Sequence, residues 1–194
     1  MAVVERTAPK QIVLIFLLAL GLYGFMLPIW IRIDTLWGRG VAAGASTIGM
    51  PLTGIQGDVR LKSARSVQFE YFLSDPRTGG TARVPQRLLN LPDVPLGIAL
   101  SLSLLGLGWR RRLLLAAGTT TLLYIIHVAL LTMSAHRAAA LLAQTSLSGE
   151  DLNERLAAAM NSMNQYGDLS VVAVVVLTAI GWFLLRGRPM VAPV

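Results

Sequence analysis

From Ile12 to Ile31 the chain carries no charged side chain, and no other feature limits its possible folds as much. A helix rises about 1.5 Å per residue, so roughly 20 residues cross a hydrocarbon layer about 30 Å thick. Three more apolar blocks follow: Val94 to Trp109, Leu113 to Met133, and Leu169 to Leu185. The second and fourth blocks fall at or just below the limit. Each is opened by an aspartate, Asp93 and Asp168, able to accept hydrogen bonds from the free amides of a helix N-terminus. With 54 % hydrophobic and only 14 % charged residues over 194 positions, against about 45–50 % and about 25 % in soluble domains, the chain reads as an integral membrane protein. The expected fold class is mainly α, with four transmembrane helices at 12–31, 94–109, 113–133 and 169–185. Between Leu113 and Gln144 only Gly118 interrupts the pattern, so the third helix is expected to continue to 144.

The formal net charge of +7 invites a nucleic-acid reading until the positive residues are located. Residues 1–11, the Arg110-Arg111-Arg112 turn and residues 186–194 hold seven of the 17 lysines and arginines and one of the ten acidic residues, Glu5. Loops 32–93 and 134–168 are far longer and nearly balanced. A positive bias in short segments predicts that both termini and the arginine turn are cytoplasmic and both large loops lie outside. The basic balance therefore reports topology and contact with lipid headgroups, not nucleic acid. A cleaved signal peptide has a core of about 7–15 residues. The first block is longer and ends in Pro28-Ile29-Trp30, so it is expected to stay as an anchor.

The outer loops carry a small α+β module. Residues 34–45 are rich in small side chains and read as an interfacial helix or a partly irregular connection. At 57–85 the pattern turns to alternation: Val59 and Leu61 flank Arg60, and Val67, Phe69, Tyr71 and Leu73 recur at every second position. That period belongs to half-buried strands, and Thr81 to Pro85 is placed to return as the third strand of an antiparallel meander. Such a sheet needs its apolar face covered, by this chain's own helices or by another protein, and its edges invite strand addition. In the second loop, Leu152, Leu156, Met160 and Met163 form a stripe at helical spacing, suited to internal packing or to an adaptable docking surface. The candidate partner-binding residues are thus Val67, Phe69, Tyr71, Leu73, Leu152, Leu156, Met160 and Met163.

Catalytic templates are absent. Without cysteine there is no thiolate nucleophile and no cysteine-ligated metal; the sequence lacks a phosphate-binding loop and a nucleophile elbow. No cofactor is implied. His127 is the one ionisable residue expected within a span, and hydrogen bonding to Ser101, Ser103 or Thr178 across a helix interface accounts for it. His136 lies outside the bilayer and off the same helical face.

Residues 87–126, RLLNLPDVPLGIALSLSLLGLGWRRRLLLAAGTTTLLYII, resemble the middle of the small membrane proteins encoded beside exosortases in Gram-negative bacteria. There a proline-containing segment leads into a short span, an arginine-rich turn and a long span. The resemblance implies an accessory role next to a membrane transpeptidase. This chain has no cysteine to act as that enzyme's nucleophile, and no active residue carries over. The expected function is a non-catalytic accessory or scaffold subunit of an envelope complex for protein processing, export or surface assembly, whose partner is another membrane or periplasmic protein. The alternatives are a small subunit of a respiratory or photosynthetic complex, and a hydrolase or transferase using His127 or His136; transport would need a polar path that the spans scarcely offer.

Overall fold

The computed structural model describes residues 9–63, 68–74, 81–87, 93–144, 172 and 174–184. The chain is mainly helical. In order come α1 (Pro9–Gly44), a π-helical turn (Ala45–Gly49), a helical turn (Met50–Leu52), strands β1 (Gly57–Ser63), β2 (Gln68–Ser74) and β3 (Thr81–Arg87), α2 (Asp93–Ser103), α3 (Trp109–Gln144) and α4 (Val174–Leu184). Two stretches are long and apolar enough to cross a membrane: Lys10–Leu52, with a mean hydropathy of 2.6 in its most apolar window, and Trp109–Ala143, with 1.9.

Contacts divide the chain into a helix unit (Met1–Trp30, Pro92–Leu122, Val171–Val194) and a sheet unit (Ile31–Leu91, Leu123–Ser170). The helix expected to close at Ile31, after Pro28, does not stop there: α1 runs through Pro28 and on to Gly44. Proline removes one N–H and so one hydrogen bond, to the carbonyl of Gly24, and a helix in an apolar medium tolerates that loss better than an unwound backbone. The second block is shorter as a helix than expected: α2 ends at Ser103 rather than reaching Trp109. Its 11 residues rise about 16 Å. A turn then reverses the chain at Gly106, whose φ of +86° favours glycine. The three arginines, expected as a connecting turn, instead lie in the first turn of α3. Arg112 folds back, its Nε donating to Leu107 O at 2.9 Å and its Nη1 to Leu102 O at 3.0 Å. It thereby satisfies a carbonyl at the open end of α2. At the other end of α2, Asp93 accepts from the amide of Val94 at 3.0 Å, as the sequence led us to expect; Asp168 lies outside the described residues.

The sheet unit joins the last part of α1 and the C-terminal part of α3 to a three-stranded antiparallel sheet in the order β1-β2-β3. Val59 pairs with Tyr71 and Leu61 with Phe69, so the inward positions stack across β1 and β2 as the alternation predicts, and β3 continues the register with Val84 opposite Tyr71. Of the two readings of 34–45, an interfacial helix or a partly irregular connection, the structure has helix: α1 continues through to Gly44. Along it Gly40, Gly44 and Gly49 pack against Tyr124, Val128 and Thr132 of α3, which are spaced four apart. A Cβ at Gly44 would lie 2.6 Å from Tyr124 Oη and 2.9 Å from Val128 Cγ2. The step from Gly44 to Gly49 is five residues, and the π-helical turn Ala45–Gly49 absorbs the extra one. That insertion keeps the glycine face turned toward α3.

Candidate functional site

Phe69, Tyr71 and Leu73 have no exposed surface. Their face of the sheet is filled from within the chain by Val41, Ala45 and Met50 on one side and Leu131, Ala135, Ala138 and Leu142 of α3 on the other. Of the two coverings the sequence allowed for this face, the chain's own helices supply it, so these three side chains are interior and do not form a surface for a partner. Tyr71 completes the seal by donating its hydroxyl to Leu131 O at 3.3 Å. Burial pushes its phenol well above the usual range, with a hydrogen bond to Ser134 pulling slightly the other way. Val67, Leu152, Leu156, Met160 and Met163 lie outside the described residues.

The opposite face of the sheet is polar. Arg60 pairs with Asp58 at 2.7 Å and stands over the Phe72 ring, 5.1 Å from its centroid; Arg83 pairs with Glu70 and approaches the same ring at 6.0 Å. Arg60 is thus held by a carboxylate and an aromatic face. Ser46, on the π-helical turn, reaches the outer edge of β1: its hydroxyl accepts from Val59 N at 2.9 Å and contacts Asp58 Oδ1 at 2.9 Å. The Arg60 hydrogen bond, aided by Ser46 and opposed by slight burial, holds the Asp58 carboxyl below its usual value of 3.8. A depressed folded value contributes stability that is complete above the unfolded value and is lost as pH falls through the folded one. The gap in melting temperature between wild type and Asp58→Asn is therefore expected to stay constant from about pH 5 to 8 and to close below about pH 4. A gap that changed near neutrality would remove Asp58 from this role.

His127 is 4 % exposed, and its Nδ1 accepts a hydrogen bond from Trp37 Nε1 at 3.2 Å. Trp37 also meets Tyr124 edge to face at 5.7 Å, and the Tyr124 hydroxyl donates to Gly40 O at 2.9 Å. The expected partners of His127 are elsewhere: Ser101 donates to Gly97 O and Ser103 to Leu100 O, while Thr178 lines a cavity of the helix unit. Asp34 and the exposed Arg39 lie within about a turn of Trp37. An imidazole enclosed in this way locks α1 to α3 and is poorly placed to meet a substrate.

His136 is exposed beside a cleft of about 450 Å3 shared with Gln56, Ser74, Ala139 and Ala140. Among the described residues no group of three or more His, Asp or Glu side chains is placed to hold a metal ion. A different surface stands out. Ile48, Leu52 and Met133 are 59 %, 81 % and 53 % exposed, and the packing of Gly49 on Thr132 brings their neighbouring backbone together. Arg32, Asp34 and Arg39 separate this apolar group from the uncharged run of α1. Ile48 and Leu52 stand four apart, but Gly49, Pro51 and Gly54 around them read as a break in the helical pattern and hide the pair. The helix contact had a visible signal, the small-residue spacing Gly40 to Gly44. Comparison with family models, with curated proteins and with solved structures gave no match.

Proposed function

We propose that the chain is a non-catalytic accessory or scaffold subunit of a bacterial envelope membrane complex. It crosses the inner membrane several times with both termini cytoplasmic, and its sheet unit docks another membrane or periplasmic protein on the outer side. The observation that carries this reading is the apolar group Ile48, Leu52 and Met133, exposed on a unit whose own core is already filled. Single exposed hydrophobics need no explanation, whereas grouped ones point to an interaction surface; Ile48 and Leu52 stand four apart, and Gly49 between them packs on Thr132, the residue before Met133. Three charged residues of α1, Arg32, Asp34 and Arg39, lie between this group and the uncharged run, which favours a protein over lipid as its cover. The positive residues of the short segments support the orientation, and the likeness of residues 87–126 to exosortase-associated proteins supports protein processing as the setting.

The test is recovery of the tagged protein from its native membrane in mild detergent, beside a variant carrying Ile48→Asp and Leu52→Asp. One stoichiometric partner is expected with the wild type. The variant should lose it by tenfold or more while still fractionating with the membrane, since hot-spot truncations cost about 2 kcal/mol or more. A wild type that emerges alone and monodisperse would overturn the reading.

A further inference from the structure

Within the helix unit, Ile12 and Ile15 of α1, Leu100 of α2, and Val175, Ala179 and Trp182 of α4 line a cavity of about 410 Å3. Its volume lies within the roughly 300–1,000 Å3 of small-molecule sites. The wall holds no charged residue, yet it includes Thr178, which is 4 % exposed and whose Oγ has no hydrogen-bond partner among the described residues. Helical hydroxyls ordinarily turn back onto the preceding turn. Thr120 does so onto Ala116 O, Thr132 onto Val128 O and Ser101 onto Gly97 O, all at 2.7–2.8 Å. Thr178 does not. A buried hydroxyl without a partner is destabilising. Water is a poor remedy, because it needs about 2–4 polar partners and this wall is almost wholly apolar.

We propose that this cavity binds one anionic glycerophospholipid, its acyl chain against Ile15, Leu100 and Val175 and one ester carbonyl accepting the Thr178 hydroxyl. Depth and charge select this lipid. Ile12 follows the exposed Lys10 by two residues, about 3 Å along the helix, so one wall of the cavity starts just beneath a positive charge suited to a phosphate. An ester carbonyl lies directly below the phosphate of such a lipid. A charged headgroup inside the cavity would find no countercharge, which leaves an uncharged oxygen as the group that meets Thr178.

The experiment is native mass spectrometry of the full chain in mild detergent, titrated with palmitoyl-oleoyl phosphatidylglycerol and, separately, with its diether analogue, which lacks both carbonyls. Wild type should retain one ester lipid and bind the diether about tenfold more weakly, the factor expected for one hydrogen bond. Thr178→Val should bind both lipids equally at the weaker level, and Thr178→Ser should restore the preference. All variants are first required to match wild type in helical circular dichroism and monodispersity. Equal binding of ester and diether by wild type would overturn the proposal. So would failure of folded wild type to retain any lipid, or displacement of the lipid by an equimolar isoprenoid quinone, which would make the carbonyl a quinone's.

Discussion

Replacing Gly49 by valine should destabilise the sheet unit by about 3 kcal/mol or more, at the upper end of overpacking effects. A Cβ at this position would overlap the Thr132 hydroxyl and stand 3.0 Å from Thr132 Cβ and 3.2 Å from its Cγ2. Thr132 has little room to retreat: it is 7 % exposed, and its hydroxyl is held by Val128 O four residues back. The expected readout is a fall of some 10 °C or more in the thermal transition of the Trp37 environment, given about 4–8 °C per kcal/mol for a domain of this size. Adding Thr132→Ala should recover part of the loss, because the two positions share one contact and their effects cannot be additive. Full additivity would show that Gly49 is small for some reason other than its approach to α3.

The second large effect is expected from Phe69→Ala. Phe69 has no exposed surface and lies on β2, the middle strand of the sheet, paired with Leu61 on one side and Gln86 on the other. Its removal should cost about 3–5 kcal/mol, the range for phenylalanine truncated in a closed core. Since the covering residues come from α1, the π-helical turn and α3, loss of the sheet should appear together with loss of near-ultraviolet dichroism from Trp37 and Tyr124. If the variant kept a wild-type transition but failed to recover the partner, Phe69 would be a docking residue after all, and the interior position described above would be wrong.

Much of this arrangement is legible from periodicity. The two-residue alternation at Phe69, Tyr71 and Leu73 gives both the strand and its inward face, and the unbroken helical pattern from Leu113 to Gln144 gives α3. What periodicity does not report is partnership. An inward-facing row looks the same whether its cover is supplied in the chain or by another protein, and only the placement of Leu131, Ala135 and Ala138 decides between them. Helix ends misled for a different reason. Pro28 and Arg32 are ordinary stop signals, yet α1 passes both, because the packing of Gly40 and Gly44 on Tyr124 rewards continued helix beyond them. At α2 the error runs the other way: apolar composition continues to Trp109, but Gly106 turns the chain and Arg112 supplies the acceptors of the helix end with donors. For the candidate sites, His127 was found by its residue type, and its true partner Trp37 could not be found, since 90 positions separate them and neither carries a local signal.

The Ser46 hydroxyl has a consequence for crowding. Proteins confined to a bilayer meet one another in a restricted range of orientations and at high local density, conditions under which an open strand edge can seed ribbons that grow across the surface. On β1 the Val59 amide, where an incoming strand would begin to pair, is already occupied by a side chain that cannot itself be extended into another strand. At the far side of the sheet, β3 contains Pro85, which has no amide hydrogen to offer. One border of the sheet thus has its Val59 amide occupied, and the strand at the other carries a residue without a donor, so the sheet has fewer free donors for backbone pairing than its strand lengths suggest.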